Sequence, residues 1–92
     1  MIKTLQVSIT GVVQGVGYRA WCEAEAKARG LSGWVRNRRD GSVEALLSGE
    51  TEKVDELLVM VWQGPRSARV ERVQSSEAQQ PMRLGFRVLP TA

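Results

Sequence analysis

The hydrophobic period changes several times along the chain, and the order of these changes limits the folds that it can adopt. Alternating apolar residues from Leu5 to Ile9 predict a strand with one buried face. From Tyr18 the apolar residues recur at helical spacing, and Gly30 is the expected end of that helix. The apolar stripe of this helix is predicted to consist of Trp21, Ala24, Ala28 and Leu31.

The rest of the chain repeats the change from strand to helix. Strands are predicted at 31–38 and 42–48, joined by a turn at Asp40-Gly41. A second helix follows, with Thr51 as its N-cap and Gly64-Pro65 as its end. Its apolar face consists of Val54, Leu57, Leu58, Val61 and Trp62. A strand at 68–74, a polar loop at 75–81 and a last strand in which Leu84, Phe86 and Val88 alternate with other residues complete the pattern.

This β-α-β-β-α-β order, with an extra short C-terminal strand, predicts one domain over residues 1–92. We expect a ferredoxin-like α+β sandwich, in which an antiparallel sheet carries two helices on one face. The first two strands would be parallel, with the third between them. Their carboxyl ends would then lie at the same edge of the sheet, ~10 Å apart, where ligands tend to bind.

Composition excludes several kinds of catalytic site. The chain has no His and a single Cys, Cys22, so a Ser-His pair, a Cys-His pair and a Cys-rich zinc site are all excluded. We therefore expect no metal and no cofactor. The lone cysteine and the absence of an export signal favour the cytoplasm, and the longest apolar run, Leu57 to Trp62, is too short to span a membrane. Cys22 is expected to be an incidental helix residue, and the three tryptophans to lie in or near the core.

The formal net charge of the chain is +3, and the excess lies in its first half. Part of it belongs to the cluster Arg36-Asn37-Arg38-Arg39. Such a cluster fits either a solvated loop or a field that attracts an anion.

The segment Gln14-Gly15-Val16-Gly17-Tyr18-Arg19, between the first strand and the first helix, is the most informative motif. Its two glycines permit positive φ angles, and the helix N-terminus adds free N–H donors. Arg19 adds a planar fork that can hold two phosphate oxygens. The segment therefore predicts an oxyanion cradle, although a tight turn followed by a surface arginine fits the same residues. It lacks the lysine of a Walker loop and the third glycine of a dinucleotide fingerprint.

Three segments of the chain are similar to those of one known family. They are Val13-Gln14-Gly15-Val16-Gly17-Tyr18-Arg19, Gly33-Trp34-Val35-Arg36-Asn37 with Asp40-Gly41-Ser42-Val43-Glu44, and Gly64-Pro65 with the following Ala68, Val70 and Val73. All three resemble the acylphosphatase family. The resemblance runs from about Val7 to Val88 and implies a ferredoxin-like sandwich that hydrolyses acyl phosphates to a carboxylate and inorganic phosphate. Tyr18 stands where the family often has Phe.

Carried over by position, the resemblance assigns roles to particular residues. Arg19 would bind the phosphate, and Asn37 would orient the attacking water. The backbone cradle would consist of Gln14, Gly15, Val16, Gly17 and Tyr18. No protein base is evident, so the proton of the water would pass to the phosphate, with Asp40 and Glu44 as remaining candidates.

Other functions fit the same order of elements. RNA-recognition domains share it, but they stack bases on aromatic residues of their middle strands, and here the first and third strands have none. A phosphate-binding module without catalysis is the other alternative. The expected partner is a small-molecule acyl phosphate, with no nucleic acid and no membrane, and we expect a monomer.

Overall fold

Two helices and five strands make up the structure, a computed structural model that describes residues 1–92. The strands are β1 (Ile2–Val12), β2 (Ser32–Asn37), β3 (Val43–Glu50), β4 (Arg69–Glu77) and β5 (Phe86–Val88). The helices are α1 (Tyr18–Ala28) and α2 (Thr51–Met60). The predicted order of elements is thus confirmed. Neither helix is long and apolar enough to cross a membrane.

The five strands form one sheet in the order β4-β1-β3-β2-β5. As predicted, β3 lies between β1 and β2 and is antiparallel to both, so β1 and β2 run in the same direction. The predicted ferredoxin-like fold is confirmed, and the extra C-terminal strand, β5, pairs with the outer edge of β2 in the parallel direction, which makes the sheet mixed instead of purely antiparallel. This topology brings the carboxyl ends of β1 and β2 to one edge of the sheet.

The core lies between the two helices and one face of the sheet. Sixteen buried hydrophobic residues form it as a single cluster. The alternation predicted for β1 is confirmed, since Leu5, Val7 and Ile9 are all buried. On α2 the residues Val54 and Leu57 are buried, whereas Trp62, just beyond the helix, is 51% exposed and lies outside the core.

The stripe predicted for α1 is wrong at Ala24 and Ala28, which are exposed, whereas Leu31, just beyond the helix, is buried as predicted. The buried residues of the helix itself are Tyr18, Cys22 and Ala26. Trp21 is half-buried at the edge of this stripe, with its ring centroid 5.3 Å from that of Tyr18. Tyr18 can be buried because its hydroxyl finds an acceptor in the core, a circumstance that hydrophobicity alone does not indicate.

The helix ends agree with the sequence at some points and differ at others. Gly30, at φ 69°, ends α1 as predicted, and the N–H groups of Gly30 and Leu31 donate to Lys27 and Ala26 in a Schellman motif. Thr51 is not the N-cap of α2. That position belongs to Glu50, while the Thr51 hydroxyl donates to the carbonyl of Met1.

Two strand boundaries near the C-terminus also differ from the prediction. β4 continues to Glu77, because its last residues pair with β1 and so extend the strand into the predicted polar loop. The last strand begins at Phe86, and Leu84 is 90% exposed. The alternation of Leu84 with Phe86 is therefore not a sign of burial.

Candidate active site

The loop between β1 and α1 takes its shape from two glycines. Gly15 and Gly17 have φ angles of 73° and 83°, which L-residues with a side chain adopt only at a cost. A Cβ atom on either glycine would meet nothing within 4 Å. Backbone conformation, and not lack of space, therefore requires glycine at these positions.

The same loop presents a run of free backbone donors. None of the N–H groups from Gln14 to Ala20 donates to a backbone carbonyl, and the first such bond runs from Trp21 to Gly17. The first turn of a helix always leaves such donors and carries a partial positive charge. The loop and the start of α1 together can therefore accept an anion without any rearrangement of existing hydrogen bonds.

Arg19 lies in the first turn of α1 and has no acidic partner. It is half-buried, yet it takes part in none of the ion pairs of the structure. Its side chain lines a shallow cavity of about 270 Å³ together with Gly15, Gly17 and Val88. A guanidinium without a counterion, beside free N–H groups, is suited to hold an anion in this cavity.

Glu23 also lines this cavity, one turn after Arg19 on α1. Its carboxylate contacts Lys27 at 3.3 Å, one of the two i,i+4 ion pairs of the helix. The other joins Glu25 to Arg29 at 2.8 Å.

Asn37 is the last residue of β2, at the sheet edge where β1 also ends. Asn37 is only 8% exposed, and it lies on the face of the sheet that packs against the helices, like Val35 two positions earlier. The side-chain oxygen Oδ1 is buried and has no hydrogen-bond partner. A buried acceptor without a partner is rare in proteins, and a bound water molecule would satisfy it.

Asn37 does not line the cavity beside Arg19, but Gln14 connects the two regions. The Gln14 side-chain Nε2 donates to the carbonyl oxygens of Arg38 at 2.7 Å and of Ser42 at 2.8 Å. Sequence reasoning places Gln14 only in the backbone of the cradle and misses the role of its side chain. No local signal could reveal it, because both acceptors are backbone atoms far away in the sequence.

Tyr18 is buried beneath the loop and holds the two helices together. Its hydroxyl donates to the carbonyl oxygen of Val61 at 2.6 Å, and burial raises the pKa of the phenol. A Cβ atom on Gly64 would lie 2.5 Å from the Tyr18 ring, so this position also has to be glycine. Tyr18 can therefore offer an anion only its backbone N–H.

Cys22 lies in the core one turn further along α1. It is fully buried, and burial raises the pKa of its thiol to about 12. The expectation of an incidental helix residue is refined here, since Cys22 is one of the three residues by which α1 packs on the sheet.

Glu44 and Asp40, the two candidate bases, are both engaged in other contacts. Burial alone would raise the pKa of Glu44, but hydrogen bonds from Arg36, Arg38 and Gln6 outweigh it and lower that pKa. Glu44 is itself buried, but its position between Val43 and Ala45, which face the core, puts its side chain on the other face of the sheet, away from the helices.

The Asp40 carboxylate accepts hydrogen bonds from the hydroxyl and the N–H of Ser42, and these lower its pKa. The Asp40 carboxylate therefore stabilises the turn between β2 and β3.

The arginines of the cluster differ in their contacts. Arg36 and Arg38 both contact Glu44, at 2.8 Å and 3.1 Å, and Arg36 also lies 4.7 Å from the centroid of the Trp34 ring. Trp34 therefore lies on the open face of the sheet and not in the core. Within the cluster, Arg39 alone is exposed without an ion pair.

Comparison with known proteins gives a consistent family. The acylphosphatase family model matches residues 5–88. An acylphosphatase of Azorhizobium caulinodans is 53% identical over 92 residues, which cover 99% of each chain. One of Rhodospirillum rubrum is 47% identical over 90 residues, or 98% of this chain and 99% of that protein.

Solved structures agree with these relatives. The acylphosphatase of Coxiella burnetii superimposes with a TM-score of 0.92 at 33% identity, over 96% of this chain and 93% of its own. That of Bacillus subtilis gives a TM-score of 0.89 at 31% identity, over 97% and 99% of the two chains.

Proposed function

The chain belongs to the acylphosphatase family and hydrolyses acyl phosphates to a carboxylate and inorganic phosphate, and we propose that Arg19, Asn37 and the loop 14–18 carry out this reaction. The observation that carries the proposal is a pair of unsatisfied polar groups. Arg19 lacks a counterion at the end of the β1–α1 loop, and Asn37 Oδ1 lacks a donor at the end of β2.

The phosphate group binds in the cradle. Backbone N–H groups of Gln14, Gly15, Val16, Gly17 and Tyr18 donate to its oxygens. Arg19 donates through its guanidinium and balances the negative charge that reaches the equatorial oxygens in the transition state. Such preorganised donors stabilise charge strongly because they need no reorientation during the reaction.

The attacking water binds to Asn37. The side-chain carbonyl of Asn37 accepts a hydrogen bond from the water, and this contact turns a lone pair of the water oxygen toward phosphorus. A neutral amide is better suited to this task than a carboxylate, because a negative charge would repel the bound phosphate. The buried position of Asn37 restricts its rotamers and so keeps the water in one place.

The reaction then needs no general acid. The water oxygen forms a bond to phosphorus, and the bond from phosphorus to the acyl oxygen breaks. Its electron pair leaves with the carboxylate, which is stable without a proton at neutral pH. The proton of the water passes to a phosphate oxygen, since Asp40 and Glu44 both have other hydrogen-bond partners.

We include in this proposal that the enzyme needs no metal and binds no nucleic acid, and that it works as a monomer in the cytoplasm. Arg19 and the loop amides supply the positive charge that a metal supplies elsewhere. The RNA-recognition alternative is not favoured by the family or by the relatives. Activity that persists in excess chelator supports the metal-free reaction, and activity lost in chelator and restored by a divalent cation contradicts it.

The assignment of the site residues is tested by hydrolysis of benzoyl phosphate. Arg19→Ala and Asn37→Ala should each lower kcat/KM at least ~10²-fold, the scale of removing a preorganised donor. Arg39→Ala is the matched control, because Arg39 is an exposed arginine that, like Arg19, forms no ion pair, and it should keep the wild-type rate. Wild-type rates in both site variants would overturn the assignment.

A further inference from the structure

The side chain of Gln14 forms the hydrogen-bonded connection between the two halves of the proposed site. Both of its amide hydrogens are used, on the carbonyl oxygens of Arg38 and Ser42. β1 and β2 are not neighbours in the sheet, because β3 lies between them. No backbone hydrogen bond joins residues 13–17 to residues 37–42.

The two acceptors are held firmly within the β2–β3 turn. The Arg38 carbonyl accepts from the N–H of Gly41 at 3.1 Å, and the Ser42 carbonyl accepts from the N–H of Arg38 at 2.8 Å. Each carbonyl thus has one lone pair engaged in the turn and one left for Gln14. The Asp40 carboxylate also accepts hydrogen bonds from the Ser42 N–H at 2.9 Å and from the Ser42 hydroxyl at 2.6 Å, and these stabilise the turn.

This turn begins directly after Asn37. Arg38 is the next residue in the chain, so its carbonyl lies one peptide unit beyond the end of β2, and a shift of that carbonyl is passed to Asn37 through the Cα atom of Arg38. We propose that Gln14 is a positioning residue, whose side-chain amide sets the distance between the phosphate-binding loop and Asn37. The inference rests on the proposed function, because it assumes that the loop holds phosphate and that Asn37 holds the water.

Position matters here because hydrolysis is an in-line displacement. The water, the phosphorus and the leaving oxygen have to lie on one line, and a misplacement of about 1 Å can lower the rate ~10²-fold. Phosphate affinity depends on donors that all belong to the loop and the first turn of α1. Loss of the Gln14 contact should therefore lower kcat far more than it weakens phosphate binding.

The test compares kcat for benzoyl phosphate with the inhibition constant of inorganic phosphate. Gln14→Met removes both donors while nearly preserving the length of the side chain, and it should lower kcat ~10-fold or more. The inhibition constant should change by less than about threefold, an effect smaller than that of losing one phosphate contact. Gln14→Asn keeps the amide but shortens its reach, and it should lower kcat as well.

Gln6→Met is the matched control. Gln6 also donates its amide to a residue of a neighbouring strand, Glu44, but on the open face of the sheet. It should keep the wild-type kcat. Thermal unfolding of all three glutamine variants shows that the native fold is intact at the assay temperature.

A double mutant separates positioning from general stability. In an Asn37→Ala background, Gln14→Met should cost little further activity, because the two residues act on the same water. Full additivity would overturn the inference, as would a kcat within twofold of wild type in both Gln14 variants. A rise in the inhibition constant equal to the fall in kcat would also overturn it, since Gln14 would then serve phosphate binding.

The outcomes also separate this inference from the proposed function. An unchanged rate in Asn37→Ala would overturn the water-binding role on which both depend. A large loss in Asn37→Ala together with full activity in Gln14→Met would overturn only the positioning role.

Discussion

The Tyr18 hydroxyl donates a hydrogen bond of 2.6 Å to the carbonyl oxygen of Val61, and this contact connects the start of α1 to the end of α2. Tyr18 is fully buried, and its ring lies so near Gly64 that a Cβ atom there would be 2.5 Å from a ring carbon. The loop that precedes α1 is thus anchored by the side chain of Tyr18, while the backbone N–H of the same residue donates to no backbone carbonyl.

Removal of this hydroxyl should destabilise the fold. Tyr18→Phe leaves the Val61 carbonyl without its donor in a buried environment, which costs about 1–3 kcal/mol. Urea denaturation measures the difference in unfolding free energy between the two proteins. An equal midpoint and slope for both would contradict a stabilising role for the hydrogen bond.

Substitution of a loop glycine should affect stability and activity together. Gly17→Ala forces a side chain onto φ 83°, which costs about 1–2 kcal/mol and turns the N–H groups of Tyr18 and Arg19 away from the anion. Activity on benzoyl phosphate should therefore fall.

Gly30→Ala is the control for this strain, since Gly30 has φ 69° and open space around it at the other end of α1. It should lose similar stability and keep its kcat. Equal kcat in the two variants would show that the loop conformation is not needed for catalysis.

Inorganic phosphate should protect the folded protein against heat. A ligand that binds only the native state adds RT ln(1 + [L]/Kd), or about 2.7 kcal/mol at a hundredfold excess over Kd. Tm should rise with phosphate in the wild type and much less in Arg19→Ala. Sodium chloride at matched ionic strength controls for screening, and an equal rise in both proteins would place phosphate elsewhere.

Low pH should weaken the Glu44 cluster, which consists of the Glu44 carboxylate and its donors Gln6, Arg36 and Arg38. The pKa of Glu44 is lower in the folded protein than its ordinary value of 4.5, so the folded state is stabilised above that pH and loses this contribution as pH falls through the folded pKa. Glu44→Gln should cost about 1–3 kcal/mol at pH 7, because Arg36 and Arg38 lose an ionised acceptor.

The difference between wild type and Glu44→Gln should then begin to shrink below pH 4.5, where the carboxyl of the unfolded chain takes up a proton, and it should be lost as pH falls through the lower pKa of the folded protein. Denaturant midpoints measured from pH 7 to pH 3 test this. A difference that stays constant over the whole range would contradict the ionic character of the cluster.

Local patterns predict most of the fold. The alternation of Leu5, Val7 and Ile9 predicts β1, Gly30 predicts the end of α1, and Asp40-Gly41 predicts the turn after β2. Each of these depends on backbone sterics and hydrophobic period within a few residues. The motif residues 14–19 and Asn37 can also be chosen from the sequence, through their resemblance to a family.

The sequence by itself therefore determined which elements form, in which order, and which polar residues at their ends are candidates for the site. Only the tertiary structure decided that Tyr18 is fully buried while Trp21 is half-buried at the edge of the core, that Asn37 Oδ1 is buried without a partner, and that Gln14 joins the loop to the β2–β3 turn. These contacts join residues 24 to 43 positions apart, and often end on backbone carbonyls. No side-chain pattern records such an acceptor, because its position depends on how the strands pair and how the helices pack.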